Sequence, residues 1–210
     1  MPSSPSNQSY HHGSLRAALL SHAMELLDTK GIEGVSIRAV ARLAGVAHSA
    51  PANHFPNKRS LMSALAARIF NQLENEVLAQ METTSGQRAE RVMAFAEAVV
   101  AFALTYPHRY RLLWRRESLI DHDAELHSAM EAVYALLIGT IEGEDDEFTT
   151  SLETRAIAIW SMVHGYLIMR LDGNLMEKTD ELTQAPRHRA IITALLEGIG
   201  GGPSGARRDC

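Results

Sequence analysis

The chain has only one cysteine, Cys210, among its 210 residues. A single thiol excludes an internal disulfide and any zinc site built from several cysteines, which is typical of proteins of the reducing cytoplasm. The apolar runs are far shorter than the roughly 20 residues that cross a bilayer. The opening stretch MPSSPSNQSYHH carries neither the basic nor the apolar region of a secretory signal. We therefore expect a cytoplasmic protein with no membrane partner.

Motifs for catalysis are also scarce, since the sequence has no Gly-rich phosphate loop, nucleophile elbow or metalloprotease motif. The best catalytic candidate is the row Asp123, His127 and Glu131, whose spacing places them on one helical face. Such a row could bind a metal or transfer protons. Rows on solvent-facing helices have the same spacing, and we favour that interpretation. The sequence thus predicts no enzyme, no catalytic residue, no metal site and no cofactor.

The net charge of −5 is unevenly distributed along the chain. Residues 1–60 carry six Lys and Arg against three Asp and Glu, a net charge of +3, and residues 61–210 carry −8. A basic excess at one end can neutralise nucleic-acid phosphates while the acidic remainder stays in solvent. The asymmetry is modest and gives weak support by itself.

Apolar positions recur at helical spacing along most of the chain, which predicts an all-α fold. The expected helices are Ser14–Lys30, Ser36–Ala44, Ala47–Phe55, Lys58–Glu82, Arg88–Thr105, His108–Arg116, Asp123–Ile141, Thr149–Leu171 and Ala185–Ile199. Gly31 is expected to end the first helix, and Asn57 is expected to cap the helix that begins at Lys58. The acidic run 142–147 is most simply a solvated loop. We expect flexible tails at 1–11 and 201–210.

The segment 31–58 contains two short helical stretches around Gly45. Ser36 is a favourable N-cap for the first stretch, and Pro51 is tolerable only near the start of the second, which is therefore short. Two short helices joined by a tight Gly-containing turn form a helix-turn-helix, whose second helix enters the DNA major groove. This pattern predicts a DNA-binding unit.

A helical projection of the second stretch separates two faces. His48, Ser49, Ala52 and Asn53 form a small polar face, and the opposite arc contains Ala50, Pro51, His54 and Phe55. Asn can pair with adenine through two hydrogen bonds, and His or Ser can contact phosphates or base edges. We expect the polar face to contact DNA and the face with Phe55 and Pro51 to pack inward.

These residues resemble the DNA-binding domain of the tetracycline-repressor (TetR) family over roughly residues 12–73. The matching positions are Ser36 through Ala41, Gly45-Val46, His54-Phe55-Pro56, Lys58 and Leu61. The resemblance implies an all-α homodimeric transcriptional regulator, with a three-helix head over residues 12–73 and a helical bundle over residues 74–200 that binds a ligand and dimerises. It also implies DNA contacts by Ser36, Arg38, His48, Ser49, Asn53, His54 and Lys58. The family usually has Ser or Thr where Ala47 stands and Tyr where Ala52 stands, so one cap and one phosphate contact are missing.

The body resembles a TetR C-terminal subclass through Trp160 followed by His164-Gly165. Six residues could line a pocket for a small apolar effector: Trp114, Met130, Tyr134, Trp160, Met162 and His164. Plain core packing is at least as good an explanation for each of them. The resemblance implies that the last two helices form a four-helix dimer interface, with Trp160, Leu167, Leu171, Ile191, Ile192, Leu195, Leu196 and Ile199 on the apolar faces.

We therefore expect a dimeric, ligand-responsive regulator, most simply a repressor, that binds a palindromic double-stranded operator and is released by a small-molecule effector. The alternative is a helical small-molecule-binding protein or enzyme with a degenerate DNA-binding head, which the absent tyrosine at Ala52 keeps open.

Overall fold

The computed structural model describes the backbone of residues 8–84, 86–143 and 150–200, and the side chains of residues 15–84, 86–143 and 150–197. The α-helices in these ranges are α1 Gln8–Gly34, α2 Ile37–Leu43, α3 Lys58–Met81, α4 Arg88–Thr105, α5 Pro107–Leu113, α6 Ala124–Ile141, α7 Leu152–Leu171 and α8 Arg187–Gly200. Two 3₁₀ helices, Ala50–Asn53 and Arg116–Ser118, complete the set. The predicted all-α class is confirmed. The predicted tail 201–210, residues 1–7 of the predicted arm, residues 144–147 of the acidic run and the side chain of Ile199 lie outside the described residues.

Most predicted helices are present, but two boundaries near the N-terminus differ from the expectation. The first helix begins at Gln8 and not at Ser14, so Gln8–His12 are helical and do not form an arm. Gly31 was expected to end this helix, and it has φ +67° and ψ −174°, which interrupts α1 three residues before Gly34. Glycine adopts positive φ without the steric cost that other residues incur, so this interruption is encoded locally.

The first of two compact units contains the described residues up to Gln72 together with Tyr106–Ala132. α1 packs against α2 and α5 in this unit. Its core is apolar, and burial raises the pKa of the Tyr110 hydroxyl above its ordinary value. Side chains with almost no exposed surface include Leu19, Leu27, Leu61, Leu65, Tyr110 and Leu112.

Directed polar contacts explain why residues 106–132 belong to this unit, although the sequence suggested that they belong with the body. Arg109 on α5 donates to both carboxylate oxygens of Asp28 on α1, at 2.8 and 2.6 Å. The same guanidinium donates to Gln72 Oε1 at 2.6 Å. Ser63 Oγ on α3 accepts a hydrogen bond from the backbone N–H of Ile120 at 2.8 Å.

The second unit contains the described residues of 73–105 and those from Val133 onward. α4 packs against α7 and α8, and α7 also contacts α8. The core consists of apolar side chains, with the rings of Phe95 and Trp160 edge-on at a centroid distance of 6.3 Å. Other buried members are Val77, Phe102, Leu137, Val163, Leu167 and Ile192. Among the described residues, no helix is both long and apolar enough to span a membrane.

Candidate nucleic-acid interface

The first helix of the predicted DNA-binding unit, α2, is fixed at both ends by local chemistry. Ser36 is its N-cap, as predicted, and the Oγ atom accepts a hydrogen bond from the Ala39 backbone N–H at 3.2 Å. Val40 and Ala41 are buried on the inner side of α2. Gly45 follows the helix with φ +65°, in the left-handed region that glycine favours. The turn after α2 therefore forms where the sequence predicted it.

The second stretch is not the α-helix that the sequence analysis predicted from Ala47 to Phe55. It consists of a turn followed by the 3₁₀ helix Ala50–Asn53. Ala50 N–H bonds to Ala47 O at 2.9 Å, and Ala52 N–H bonds to Ser49 O at 3.2 Å, both across three residues. Pro51 has no N–H and disfavours α-helical geometry at Ala50, which explains the tighter helix. The second stretch is short, as Pro51 predicted, but it is a 3₁₀ helix and not an α-helix.

The predicted separation into two faces is nevertheless present. His48, Ser49, Ala52 and Asn53 are exposed. On the other side, Pro51 and Phe55 are buried and Ala50 and His54 are half-buried. Phe55 lies under the Arg16 guanidinium, whose carbon is 5.6 Å from the ring centroid. Packing of Phe55 thus fixes which side chains of this stretch face the solvent.

A side-chain hydrogen bond joins α2 to the second stretch of the helix-turn-helix. Arg38 Nε on α2 donates to His48 Nε2 at 2.7 Å, and both residues are exposed. Ser49 and Asn53 make no side-chain hydrogen bond among the described residues. Their polar groups are therefore available to an external partner.

The start of α3 places a further cation beside this surface. Asn57 Oδ1 accepts from the Ser60 backbone N–H at 2.9 Å, which caps the helix as predicted. Lys58 follows immediately, is exposed, and its Nζ donates to the Ile32 carbonyl oxygen at 3.3 Å. Lys58 is thus bonded to the last turn of α1, and Nζ keeps two further protons for other acceptors.

Comparison with known proteins identifies this arrangement. A family model described as bacterial regulatory proteins of the tetR family matches residues 19–65. A second model, described as the tetracyclin repressor-like C-terminal domain, matches residues 92–195. The chain belongs to the TetR family. As a TetR-family member it is a DNA-binding transcriptional regulator and not an enzyme.

Individual TetR-family relatives agree with this assignment. A helix-turn-helix transcriptional regulator of Mycobacterium tuberculosis, Rv0681, is 25% identical over 164 residues, which cover 75% of this chain and 71% of the relative. The class C tetracycline repressor protein of Escherichia coli is 45% identical over 51 residues, 24% of this chain and 23% of the repressor. The 51-residue match to the repressor thus has a higher identity than the 164-residue match to Rv0681.

Solved structures share the fold over most of the chain. A Rhodococcus sp. RHA1 protein of unknown function superimposes with a TM-score of 0.69 and 26% identity, covering 92% of this chain and 97% of that one. A TetR family transcription regulator from Marinobacter aquaeolei VT8 gives a TM-score of 0.63 at 14% identity, covering 89% and 95%. Because its identity is only 14%, the likeness to the Marinobacter aquaeolei regulator concerns the fold alone.

The six predicted effector-pocket residues fall into different environments. Trp114 and Met130 belong to the first unit, and the other four belong to the second. The indole of Trp114 packs edge-on against Phe70 at 6.2 Å, as a core side chain does. Met130 and Tyr134 are exposed, while Trp160, Met162 and His164 are half-buried. Burial lowers the pKa of the His164 imidazole.

A groove that the sequence gave no signal for lies within the second unit, with a volume of about 920 Å³. None of the six predicted pocket residues lines this groove. Its lining consists of the residues Gln80, Thr83, Thr84, Ala89, Glu90, Met93, Ala94, Glu97, Arg189, Thr193, Leu196 and Glu197. These residues lie on α3, in the turn after it, on α4 and on α8. Because α8 is distant from the others in the sequence, no local pattern could have identified the set.

The predicted dimer-interface residues need one correction. Leu167 and Ile192 are buried inside the protomer, so they have no surface to offer a second copy. Trp160, Leu171, Ile191, Leu195 and Leu196 are half-buried and keep part of their apolar surface exposed. Periodicity placed all of them on apolar faces, but it could not divide those faces between the protomer core and the outer surface.

The row Asp123, His127 and Glu131, which we interpreted as an ordinary solvent-facing helix row, has structural contacts of its own. Asp123 Oδ1 accepts from the Leu126 backbone N–H at 3.0 Å, which makes Asp123 a cap at the start of α6. His127 Nε2 and a carboxylate oxygen of Glu131 are 3.9 Å apart on the exposed side of the helix. No group of three His, Cys, Asp or Glu in the described ranges is arranged to hold a metal ion.

Proposed function

We propose that the chain is a homodimeric, ligand-responsive repressor that binds a palindromic operator. The DNA contacts would be made by Ser36, Arg38, His48, Ser49, Asn53, His54 and Lys58. The observation that carries the proposal is the exposed polar face of the second stretch, where Ser49 and Asn53 have no side-chain partner within the described ranges, together with the exposed cations Arg38 and Lys58. Such a face supplies both base-edge and phosphate contacts.

The direct test is a band-shift titration on a palindromic site from the promoter of the gene itself. Asn53→Ala should weaken binding to this site more than to random DNA, because Asn53 would contact a base. Lys58→Ala should weaken binding to both and reduce the salt slope by about one, because it would contact a phosphate. Arg116→Ala is the matched control, since Arg116 is 84% exposed and lies outside the interface. Equal binding by all three variants would refute the site assignment.

Dimerisation would use the exposed apolar surface of α7 and α8. Ile157 on α7 is 53% exposed and lies on the same side of the helix as Trp160 and Leu171. A two-fold interface would cover this surface and set the distance between two heads. Ile157→Glu should convert the dimer to a monomer in sedimentation velocity. Met169→Glu is the control, because Met169 is 44% exposed but lies about 120° away around the helix.

Effector binding would use the groove of the second unit. Its volume suits a small molecule, and Met93, Ala94 and Leu196 supply an apolar lining. The groove is lined by three carboxylates, those of Glu90, Glu97 and Glu197, and by one guanidinium, that of Arg189. The Arg189 guanidinium already donates to Glu97 at 2.7 Å. The excess of negative charge favours an amphipathic cation as the ligand.

Two probes of the same shape and opposite charge test the groove. Tetraphenylphosphonium should raise the melting temperature and release the operator, and tetraphenylborate should do neither. Glu197→Gln should weaken the response to the cation, whereas Glu153→Gln, an exposed change on α7 outside the groove, should not. An equal response to both ions would show that the charge of the groove does not select the ligand.

A further inference from the structure

The hydrogen bond between Arg38 and His48 fixes the chemistry of His48. A guanidinium has donors and no acceptor, so the Arg38 Nε–H must meet an unprotonated ring nitrogen. That nitrogen is Nε2, at 2.7 Å. A neutral imidazole carries one proton, which must therefore sit on Nδ1. Arg38 thus selects one of the two tautomers that a solvent-exposed histidine would otherwise exchange.

The remaining hydrogen-bonding groups of the pair are donors only. His48 Nδ1–H has no partner among the described residues, and neither do the two terminal amino groups of Arg38. Both side chains are exposed, and His48 lies on the same face as Ser49 and Asn53. The exposed Arg38–His48 pair can therefore bind a surface that offers hydrogen-bond acceptors, but it cannot bind one that offers only donors.

We propose that His48 is a specificity-determining residue that donates its Nδ1–H to a purine N7 in the major groove, and that Arg38 is the positioning residue that holds it in this tautomer. Purines present N7 as an acceptor there, whereas cytosine presents an amino donor and thymine places its O4 acceptor beside the C5-methyl group. The terminal amino groups of Arg38 would contact a phosphate, so one guanidinium connects the DNA backbone to the histidine. This inference rests on the operator binding proposed above.

Base preference distinguishes a base contact by His48 from a contact with a phosphate. Loss of a phosphate contact weakens binding about equally on all sequences, whereas loss of a base contact relaxes the preference at one position. Arg38→Met removes the donor to Nε2 and should therefore change base preference as well as affinity. Arg42→Met is the matched control, because Arg42 lies one turn further along α2, is exposed and has no partner among the described residues.

The experiment selects operators from a randomised palindrome and then measures affinity for the selected site at fixed salt. The wild-type protein should prefer a purine at one position of each half-site. Replacing that purine by its 7-deaza analogue should weaken wild-type binding by about 2- to 13-fold, as expected for the loss of one hydrogen bond. His48→Ala should lose the purine preference and bind both DNAs equally.

Two variants examine the coupling between the residues. His48→Gln keeps an acceptor for Arg38 and a donor for the base, so it should retain most of the preference. Arg38→Met should relax the same position that His48→Ala relaxes, and Arg42→Met should weaken binding without changing preference.

Two outcomes would overturn the inference while leaving operator binding intact. The first is a wild-type protein that tolerates 7-deazapurine at every position, and the second is a His48→Ala variant that is as sensitive to the analogue as the wild type. A protein that binds no oligonucleotide at low ionic strength would instead refute the proposed function, and this inference with it. Circular dichroism of each variant distinguishes these results from misfolding.

Discussion

Both units of the molecule have an apolar core, but they differ in how many directed polar bonds join residues that are distant in the sequence. In the first unit, residues far apart in the sequence are joined by directed polar bonds, of which the Arg109–Asp28 pair is the strongest example. In the second unit, α4 packs against α7 and α8 through apolar side chains around Phe95 and Phe102, and the Arg189–Glu97 pair also joins α8 to α4. Hydrogen bonds fix orientation, whereas apolar burial is non-directional. Among the described contacts, the unit with the proposed DNA-reading surface thus has more directed bonds between residues distant in the sequence.

The largest effect should come from the apolar core of the second unit. Phe95 is fully buried against Trp160, so Phe95→Ala should lower the free energy of unfolding by about 3–5 kcal/mol. Leu104→Ala, on the exposed side of the same helix, should cost less than about 1 kcal/mol. Urea denaturation followed by circular dichroism measures both. Similar losses for the two variants would contradict the assignment of the core.

The directed contacts of the first unit should have an intermediate effect. The Arg109 side chain is 15% exposed and binds Asp28 with two short bonds, so Arg109→Met should destabilise by about 2 kcal/mol. Arg116→Met removes a pair at 3.5 Å on the open surface and should cost at most about 0.5 kcal/mol. Chemical denaturation of the two variants in parallel tests this difference. If they proved equally stable, the polar framework would contribute nothing beyond surface charge.

A smaller effect should follow when the family's missing tyrosine is restored. Ala52 is exposed on the proposed DNA-contacting face, so Ala52→Tyr should add one hydroxyl bond to a phosphate. The expected gain in affinity is roughly fivefold on specific and random DNA alike, because a phosphate contact carries no sequence information. Ala52→Phe is the control, since it adds the ring without the hydroxyl. A gain confined to the operator would indicate a base contact instead.

The smallest effect should be a pH dependence of the second unit. Burial lowers the pKa of His164 and His188 below the ordinary value of 6.5, so both are favoured as neutral groups in the folded state. The unfolded chain then binds more protons, and stability must fall as pH falls through and below that value. Urea midpoints at pH 7.5 and 5.5 should differ less in the double variant His164→Gln/His188→Gln. An unchanged difference would exclude these two groups as the cause.

The sequence predicted local features wherever neighbouring residues decide the structure. Ser36 and Asn57 cap their helices, Gly31 and Gly45 adopt positive φ, and α4 has the predicted ends. Each of these depends on backbone groups within a few residues. The sequence did not predict the 3₁₀ form of Ala50–Asn53, although Pro51 supplied the signal for a short stretch.

Features formed between distant helices were not predictable from one sequence. Residues 106–132 belong to the first unit because of partners such as Asp28, Ser63 and Gln72, which no periodic pattern connects. The groove of the second unit and the burial of Leu167 and Ile192 depend on the same kind of long-range packing.

By itself, the sequence determined the helices, the helix-turn-helix and the two faces of its second stretch, because helix caps, glycine and hydrophobic periodicity act locally. Only the tertiary structure decided which apolar side chains remain exposed, which cations are bonded and which ring nitrogen of His48 carries the proton. Those properties depend on what lies opposite each side chain in space, and the spacing of residues along the chain does not contain that information.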